Sequence, residues 1–211
     1  MRGEGGPDGP LLEIRKDKMY DICNALEGLR LMYRKGRNVY KWQGWRMMLP
    51  TLMMLKKMAE KEDMLGQLSL ARRLITEDKM EEIIIVTTAR KEPELKYNVV
   101  MMTQKLLMIF LVLQHPRILS LAEASVIIHG QVLTEAKRKA NLQRLDGISK
   151  ILEGVGLVVK VMKEDDDKNN ISYQYRGPEV TIMNTQDDVE MVEEVAAVRN
   201  LLDDGEKGEG E

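Results

Sequence analysis

The chain carries a single cysteine, Cys23, among its 211 residues, so no internal disulfide can form and a reducing compartment, cytosol or nucleus, is expected. Its two histidines, His115 and His129, share no metal-ligand spacing with that cysteine and are read as helix-end residues. Ser125 and Ser149 have no His or Cys at motif spacing, and no Gly-rich phosphate loop is present. Catalysis is therefore not expected, and no cofactor is implied. Long apolar runs are also missing. The richest stretch, Val99 to Leu113, is interrupted by Thr103, Gln104 and Lys105, and Met1 to Pro7 lacks the apolar core of a signal peptide. No membrane role follows from such a sequence.

What is present is enough apolar sequence for a core, 44%, with 31% charged residues. The net charge of −2 hides an uneven distribution. Residues 1–46 hold ten Lys and Arg against six Asp and Glu, and residues 96–180 hold twelve against nine. Residues 47–95 are nearly neutral at −1, whereas residues 181–211 carry two cations against ten carboxylates. Two mildly basic blocks are thus masked by an acidic terminus, a pattern that favours a nucleic-acid partner only weakly.

Residues 1–10 are rich in Gly and Pro and are expected to be disordered. Ile14, Met19, Ile22, Ala25, Leu26 and Leu29 recur at helical spacing, and the strand candidates Leu29 to Tyr33 and Val39 to Trp42 flank the polar turn Arg34 to Asn38. The same order returns later. Thr134 can cap a helix in which Leu142, Leu145, Ile148 and Leu152 share a face and Gly154 marks the stop. Leu157 to Met162 and Ile171 to Tyr175 then flank the polar Glu164 to Asn170. Leu-Glu-Gly-Leu-Arg-Leu at Leu26 to Leu31 matches Leu-Glu-Gly-Val-Gly-Leu at Leu152 to Leu157, so the helix-hairpin unit is an internal repeat.

Between the copies, Pro50 to Met80 has a Met-rich helical pattern broken at Gly66, read as packing surface. Ile83 to Val86 is a short strand candidate, and Arg90 to Glu94 reads as linker. Val99 to Leu113 is a helix ended by Pro116, and Ser120-Leu121-Ala122-Glu123 is a capping box opening a helix to His129. Gln131 to Thr134 then leads into the basic helix. The expected class is α+β, mainly helical: a winged helix, or winged helix-turn-helix, in one complete copy and one partial copy. The divisions are a partial winged helix at 11–46, a helical connector at 47–95, a winged-helix DNA-binding domain at 96–180 and an acidic tail at 181–211.

Tyr20 to Leu29, followed by Lys35-Gly36-Arg37-Asn38-Val39-Tyr40-Lys41-Trp42-Gln43-Gly44, closely resembles the third helix and wing of the E-two-F/DP transcription factors. Met102 to Met108, Ser120 to Ile128 and Tyr173 to Glu179 resemble the second DNA-binding domain of the atypical members, which carry two such domains in one chain. The resemblance covers residues 13–45 and 97–179. It implies nuclear, sequence-specific binding of double-stranded DNA at GC-rich elements of cell-cycle promoters, commonly as repression and without a separate DP partner. Homodimerisation or pairing with another winged-helix protein is left open. Because the first copy begins at its third helix, either the sequence is N-terminally incomplete or the Pro50 to Met80 segment covers the exposed face.

In the family, the third helix bears Arg-Arg-x-Tyr-Asp-Ile, whose Arg forks match guanine O6 and N7. Here the first copy has Asp17-Lys18-Met19-Tyr20-Asp21-Ile22 and the second has Gln143-Arg144-Leu145-Asp146-Gly147-Ile148, with Asp165 to Asp167 in its wing. The candidate nucleic-acid contacts are Lys137, Arg138, Lys139 and Arg144 in the second copy and Arg15, Lys16, Lys18 and Arg37 in the first. Their alternative reading is a solvated helix face. Tyr20, Trp42, Tyr173 and Tyr175 are read as core packing. A winged-helix interaction module that has lost specific DNA reading is the competing function.

Overall fold

The computed structural model describes residues 16–37, 39–76, 98–129, 135–161 and 171–181. The expectations for Met1 to Pro10, Ile83 to Val86, Arg90 to Glu94, Gln131 to Thr134, Glu164 to Asn170 and the acidic tail lie outside those residues. The elements follow the order α1 (Lys16–Gly28), β1 (Met32–Gly36), β2 (Val39–Trp42), a 3-10 turn (Trp45–Met47), α2 (Met48–Lys61) and α3 (Met64–Thr76). After them come α4 (Val99–Val112), β3 (Ile118–Ser120), α5 (Leu121–His129), α6 (Glu135–Gly154), β4 (Val158–Val161) and β5 (Ser172–Tyr175).

The internal repeat is visible as a twin turn. At the end of α6, the Leu157 N–H donates to the Leu152 carbonyl (2.9 Å) and the Gly156 N–H to the Glu153 carbonyl (2.9 Å). These are the paired bonds of a Schellman motif, and Gly156 supplies the left-handed residue at φ 78°. At the end of α1, Leu31 N–H reaches the Leu26 carbonyl (3.0 Å) and Arg30 N–H the Glu27 carbonyl (2.9 Å). Arg30 occupies the left-handed position there, at φ 54°. The repeated Leu-Glu-Gly-x-x-Leu is therefore the sequence of one helix stop used twice, with buried Leu31 and Leu157 pinning each exit. This stop explains why β1 starts at Met32 rather than at Leu29, since Leu29 to Leu31 form the turn and Leu29 and Leu31 are buried in it.

Both hairpins are antiparallel, and they differ in their edges. Val158 pairs with Tyr175 and Val161 with Ser172, while the far side of β5 is taken by β3, through Ile118 with Gln174 and Ser120 with Ser172. The three-residue β3 was not anticipated from the sequence. It precedes α5 directly, so Ser120 is both strand end and helix cap. Its hydroxyl accepts from Glu123 N–H (3.2 Å) while the Glu123 carboxylate accepts from Ser120 N–H (2.9 Å), the capping box the sequence announced. The first hairpin has only two strands, Met32 facing Trp42 and Gly36 facing Val39, with a bulge between Arg34 and Gly36.

The second copy runs helix, strand, helix, helix, two strands, which is winged-helix order. Its first helix, α4, is enclosed almost all round: Met102, Leu106, Leu107, Met108, Ile109, Phe110 and Leu111 are all buried, and so is Thr103. A winged helix alone covers one side of such a helix. The other side is covered by α1, α2 and α3, so one core runs through both units. The apolar face of α1, in turn, packs on α4 and α6, while α2 and α3 pack chiefly on α4 and α5. The expected break at Gly66 falls earlier. Asp63, at φ 51°, separates α2 from α3, and its carboxylate accepts from Gly66 N–H (3.2 Å) as an N-cap. Met19, expected on the buried face of α1, is instead 45% exposed.

Gly28 marks the crossing of α1 over α4. A Cβ there would stand 3.0 Å from the Thr103 Cβ and 3.0 Å from the Val100 carbonyl oxygen, whereas its repeat partner Gly154 has open space. The same substitution should therefore act with opposite sign at the two sites. Gly28→Ala is expected to lower stability by about 1–3 kcal/mol through overpacking, and Gly154→Ala to raise it by about 0.5–1 kcal/mol through helix propensity. Urea unfolding of the two variants checks this directly.

Candidate nucleic-acid interface

The face of α6 is set by its buried stripe. Leu145, Ile148 and Leu152 point into the core, so Lys137, Arg138, Lys139, Gln143 and Arg144 stand on the solvent side. Arg144 stays exposed although it precedes a fully buried leucine, because adjacent helical residues point about 100° apart. In the first copy Lys18 on α1 and Arg37 in the hairpin turn are exposed. Arg15 lies outside the described residues, and Lys16 opens α1, its side chain not being among those described. The two third helices, α1 and α6, touch each other inside the common core.

Three cations that the sequence reading passed over belong beside Arg37. Arg34, Lys35 and Lys41 are exposed on the same hairpin. Arg34 Nε donates to the Gly36 carbonyl (3.3 Å), which holds the bulge, and Lys41 sits 6.0 Å above the Tyr33 ring. The signal was available, since Arg34-Lys35-Gly36-Arg37 is a turn whose strands must leave its polar residues outward. Trp42 also departs from its expected role. It is 48% exposed and meets Trp45 edge-on at 5.6 Å. Tyr173 and Tyr175 are buried as expected, and Tyr20 is half-buried.

The outward face of α6 is held to the sheet by a polar lock. Tyr173 Oη donates to Asp146 Oδ1 (2.9 Å), and Lys150 Nζ, one turn on, pairs with Asp146 Oδ2 (2.6 Å). Asp146 stands where the family motif has Tyr, and the repeat puts Tyr20 and Tyr40 at the positions of Asp146 and Tyr173. Burial, more than any neighbouring charge, raises the pKa of Tyr40. At Asp146, where the motif is lost, the second unit thus has a helix-to-wing tie of its own. Burial, with the Asp146 carboxylate beside it, drives the Tyr173 hydroxyl well above the usual tyrosine range. Tyr175 is pushed up to about 12, first by burial, and its hydroxyl donates to the Pro178 carbonyl (3.1 Å). Arg117 lies 5.6 Å over the Tyr175 ring and pairs with Glu179 (2.7 Å).

At the end of α5, burial lowers the pKa of His129, with the charge of Arg144 adding to the effect and the bond to the Ser125 carbonyl opposing it. Among the described residues, no group of three His, Cys, Asp or Glu side chains could hold a metal ion. None of the described helices is long and apolar enough to cross a membrane.

A tyrosine whose folded pKa is raised contributes stability that is complete below its ordinary pKa and is lost as pH rises above it. Alkaline unfolding should therefore begin above roughly pH 10. Tyr173→Phe is expected to lose about 1–2 kcal/mol at neutral pH, because Asp146 forfeits a charge-assisted bond. The same variant should show a shallower fall of stability above roughly pH 10, measured by denaturant titration at several pH values.

No family model matches the chain. It is 26% identical over 212 residues to transcription factor E2F8 of Rattus norvegicus, covering 82% of this chain and 24% of that protein. Against transcription factor E2F8 of Xenopus tropicalis the identity is 28% over 200 residues, covering 80% and 26%. Against transcription factor E2F7 of Danio rerio it is 27% over 171 residues, covering 79% and 23%. The chain spans about a quarter of the length of the curated relatives it matches. With a complete winged helix, a second third-helix-and-wing unit in the same core, and similarity of this kind along four-fifths of its length, the chain resembles the atypical E-two-F proteins E2F8 and E2F7.

Proposed function

We propose that this chain binds double-stranded DNA as a nuclear transcription regulator, acting as a repressor at GC-rich elements of cell-cycle promoters. The observation that carries this reading is the outward cationic face of α6, Lys137, Arg138, Lys139 and Arg144, on a completed winged helix. In that architecture the third helix enters the major groove and the wing follows the backbone. Arg144 sits at the second Arg position of the family motif and is the residue for guanine O6 and N7. Lys137, Arg138 and Lys139 serve phosphates, as do Arg15, Lys16, Lys18 and Arg37 and the hairpin cations Arg34, Lys35 and Lys41. Both units share one core, which supports action without a separate DP partner.

A second reading, a winged-helix interaction module, is favoured by Gln143 and Asp17, which stand where the family motif opens with Arg. The two readings part in a binding assay of the full chain with a GC-rich promoter duplex and a scrambled duplex at two salt concentrations. A DNA reader discriminates between the duplexes and loses affinity with salt by about 0.9 in log slope for each phosphate contacted. Arg144→Ala is expected to cost about 1–3 kcal/mol on the GC-rich duplex and to erase the preference. Lys139→Ala should weaken both duplexes alike and reduce the salt slope by about 1. Equal, negligible binding to both duplexes would leave the interaction module.

A further inference from the structure

The buried stripe of α6 decides which of its side chains stands furthest from the core. Leu145, Ile148, Ser149 and Leu152 are buried, so at roughly 100° per residue the opposite direction belongs to Ala140, Gln143 and Gly147. Gln143 is the long polar side chain of the three, and Arg144 stands beside it, about 100° round the axis. Both are exposed, and among the described residues the Gln143 amide meets no hydrogen-bond partner. The fold does not use it either: the side chains that tie α6 to the sheet are Asp146, bound to Tyr173, and Glu153, which accepts from Lys160 N–H (2.9 Å). Its neighbours on the crest are small. Ala140 is exposed, and a Cβ at Gly147 would have nothing within 4 Å, so neither holds Gln143 back from the floor of a groove.

What an amide can recognise in the major groove differs from what a guanidinium recognises. A Gln side chain offers one acceptor oxygen and an NH2 donor, which match the N6 donor and N7 acceptor of adenine. Guanine presents O6 and N7, both acceptors, so one of the two contacts would set the amide oxygen against another acceptor. Ala140 lies one turn before Gln143, with the two Cβ atoms about 5–6 Å apart. Its methyl group is the apolar partner that suits the C5 methyl of thymine, the base opposite adenine. Two adjacent side chains on the crest thus favour the two halves of one A·T pair.

We propose that α6 reads an A·T pair beside the guanine taken by Arg144, with Gln143 on adenine N6 and N7 and Ala140 on the thymine methyl. Gln143 is then a specificity-determining residue, and the preferred element is GC-rich except at that one pair. This rests on the DNA-binding reading and narrows it.

The test is a binding titration of the full chain against the GC-rich promoter duplex and a panel in which each G·C pair of its core is replaced, one at a time and in both orientations, by A·T. The parent chain is expected to favour one A·T duplex over the all-G·C duplex by about tenfold. Gln143→Arg should reverse that preference toward guanine at the same pair by a similar factor, and Gln143→Ala should make the two duplexes equal while the guanine read by Arg144 is still discriminated. Deoxyuridine in place of the thymine removes only the C5 methyl and should weaken the parent about fourfold, a loss that Ala140→Gly should abolish because each ratio is taken within one variant. If the parent discriminates the Arg144 guanine yet binds adenine and guanine alike at every other pair, or if Gln143→Arg leaves the preference where it was, the proposal is overturned and the DNA-binding reading stands. Equal binding of the parent to every duplex in the panel, the scrambled one included, overturns both.

Discussion

The structure turns on one helix that is enclosed on nearly every side. Most surface helices bury a stripe and hydrate the rest, but α4 buries Met102, Leu106, Leu107, Ile109 and Phe110, all of them at 2% exposure or less, and Leu111 at 4%. Each such side chain removed from water is worth about 1.5–3 kcal/mol, so the helix must be surrounded. Strand β5 and helices α5 and α6 surround part of it; the remainder falls to α1, α2 and α3. The partial unit and the connector are thus structural necessities of the complete unit, and the recognition-type helix α6 is oriented by a core that both halves build.

That shared core also explains how two copies of one motif have come to differ in detail. The Schellman stop is kept at both helix ends because it fixes the direction in which the chain enters the hairpin. The glycine that favours it is kept only at Gly156, and Arg30 takes the left-handed conformation in its place. Conversely, Gly28 and Gly154 share a sequence position and have different work. Gly28 admits the close approach of α4, with Gln104 Nε2 donating to its carbonyl (3.3 Å), while Gly154 faces open space. Similar letters at equivalent positions answer to different neighbours.

Much of this was legible in the sequence where the determinants are local. The capping box at Ser120 and Glu123, the apolar stripe Leu145, Ile148 and Leu152, and the Leu-Glu-Gly repeat each act within one or two helical turns, and each is present in the structure. What could not be read depends on partners far along the chain. Strand β3 is three residues long and exists because β5 lies beside it. The tie from Asp146 to Tyr173 joins residues on separate elements, so an apparent loss from the family motif carried no hint of its replacement. The break between α2 and α3 was misplaced because a glycine inside a helix resembles a stop, while Asp63, the real cap, resembles an ordinary surface charge. For the cationic face the periodicity of α6 was sufficient, and the hairpin cations Arg34, Lys35 and Lys41 were missed by weighing only the residue at the turn.

The bulge between Arg34 and Gly36 has a consequence for solubility. A two-stranded ribbon leaves backbone donors and acceptors along its rims, and such rims recruit strands from other molecules. Here the extra residue twists the ribbon out of register, and Lys41 places a charge in the middle of the second strand. Irregularity at this one point works against sheet-to-sheet polymerisation, so a smoother hairpin would carry a greater risk of fibre growth.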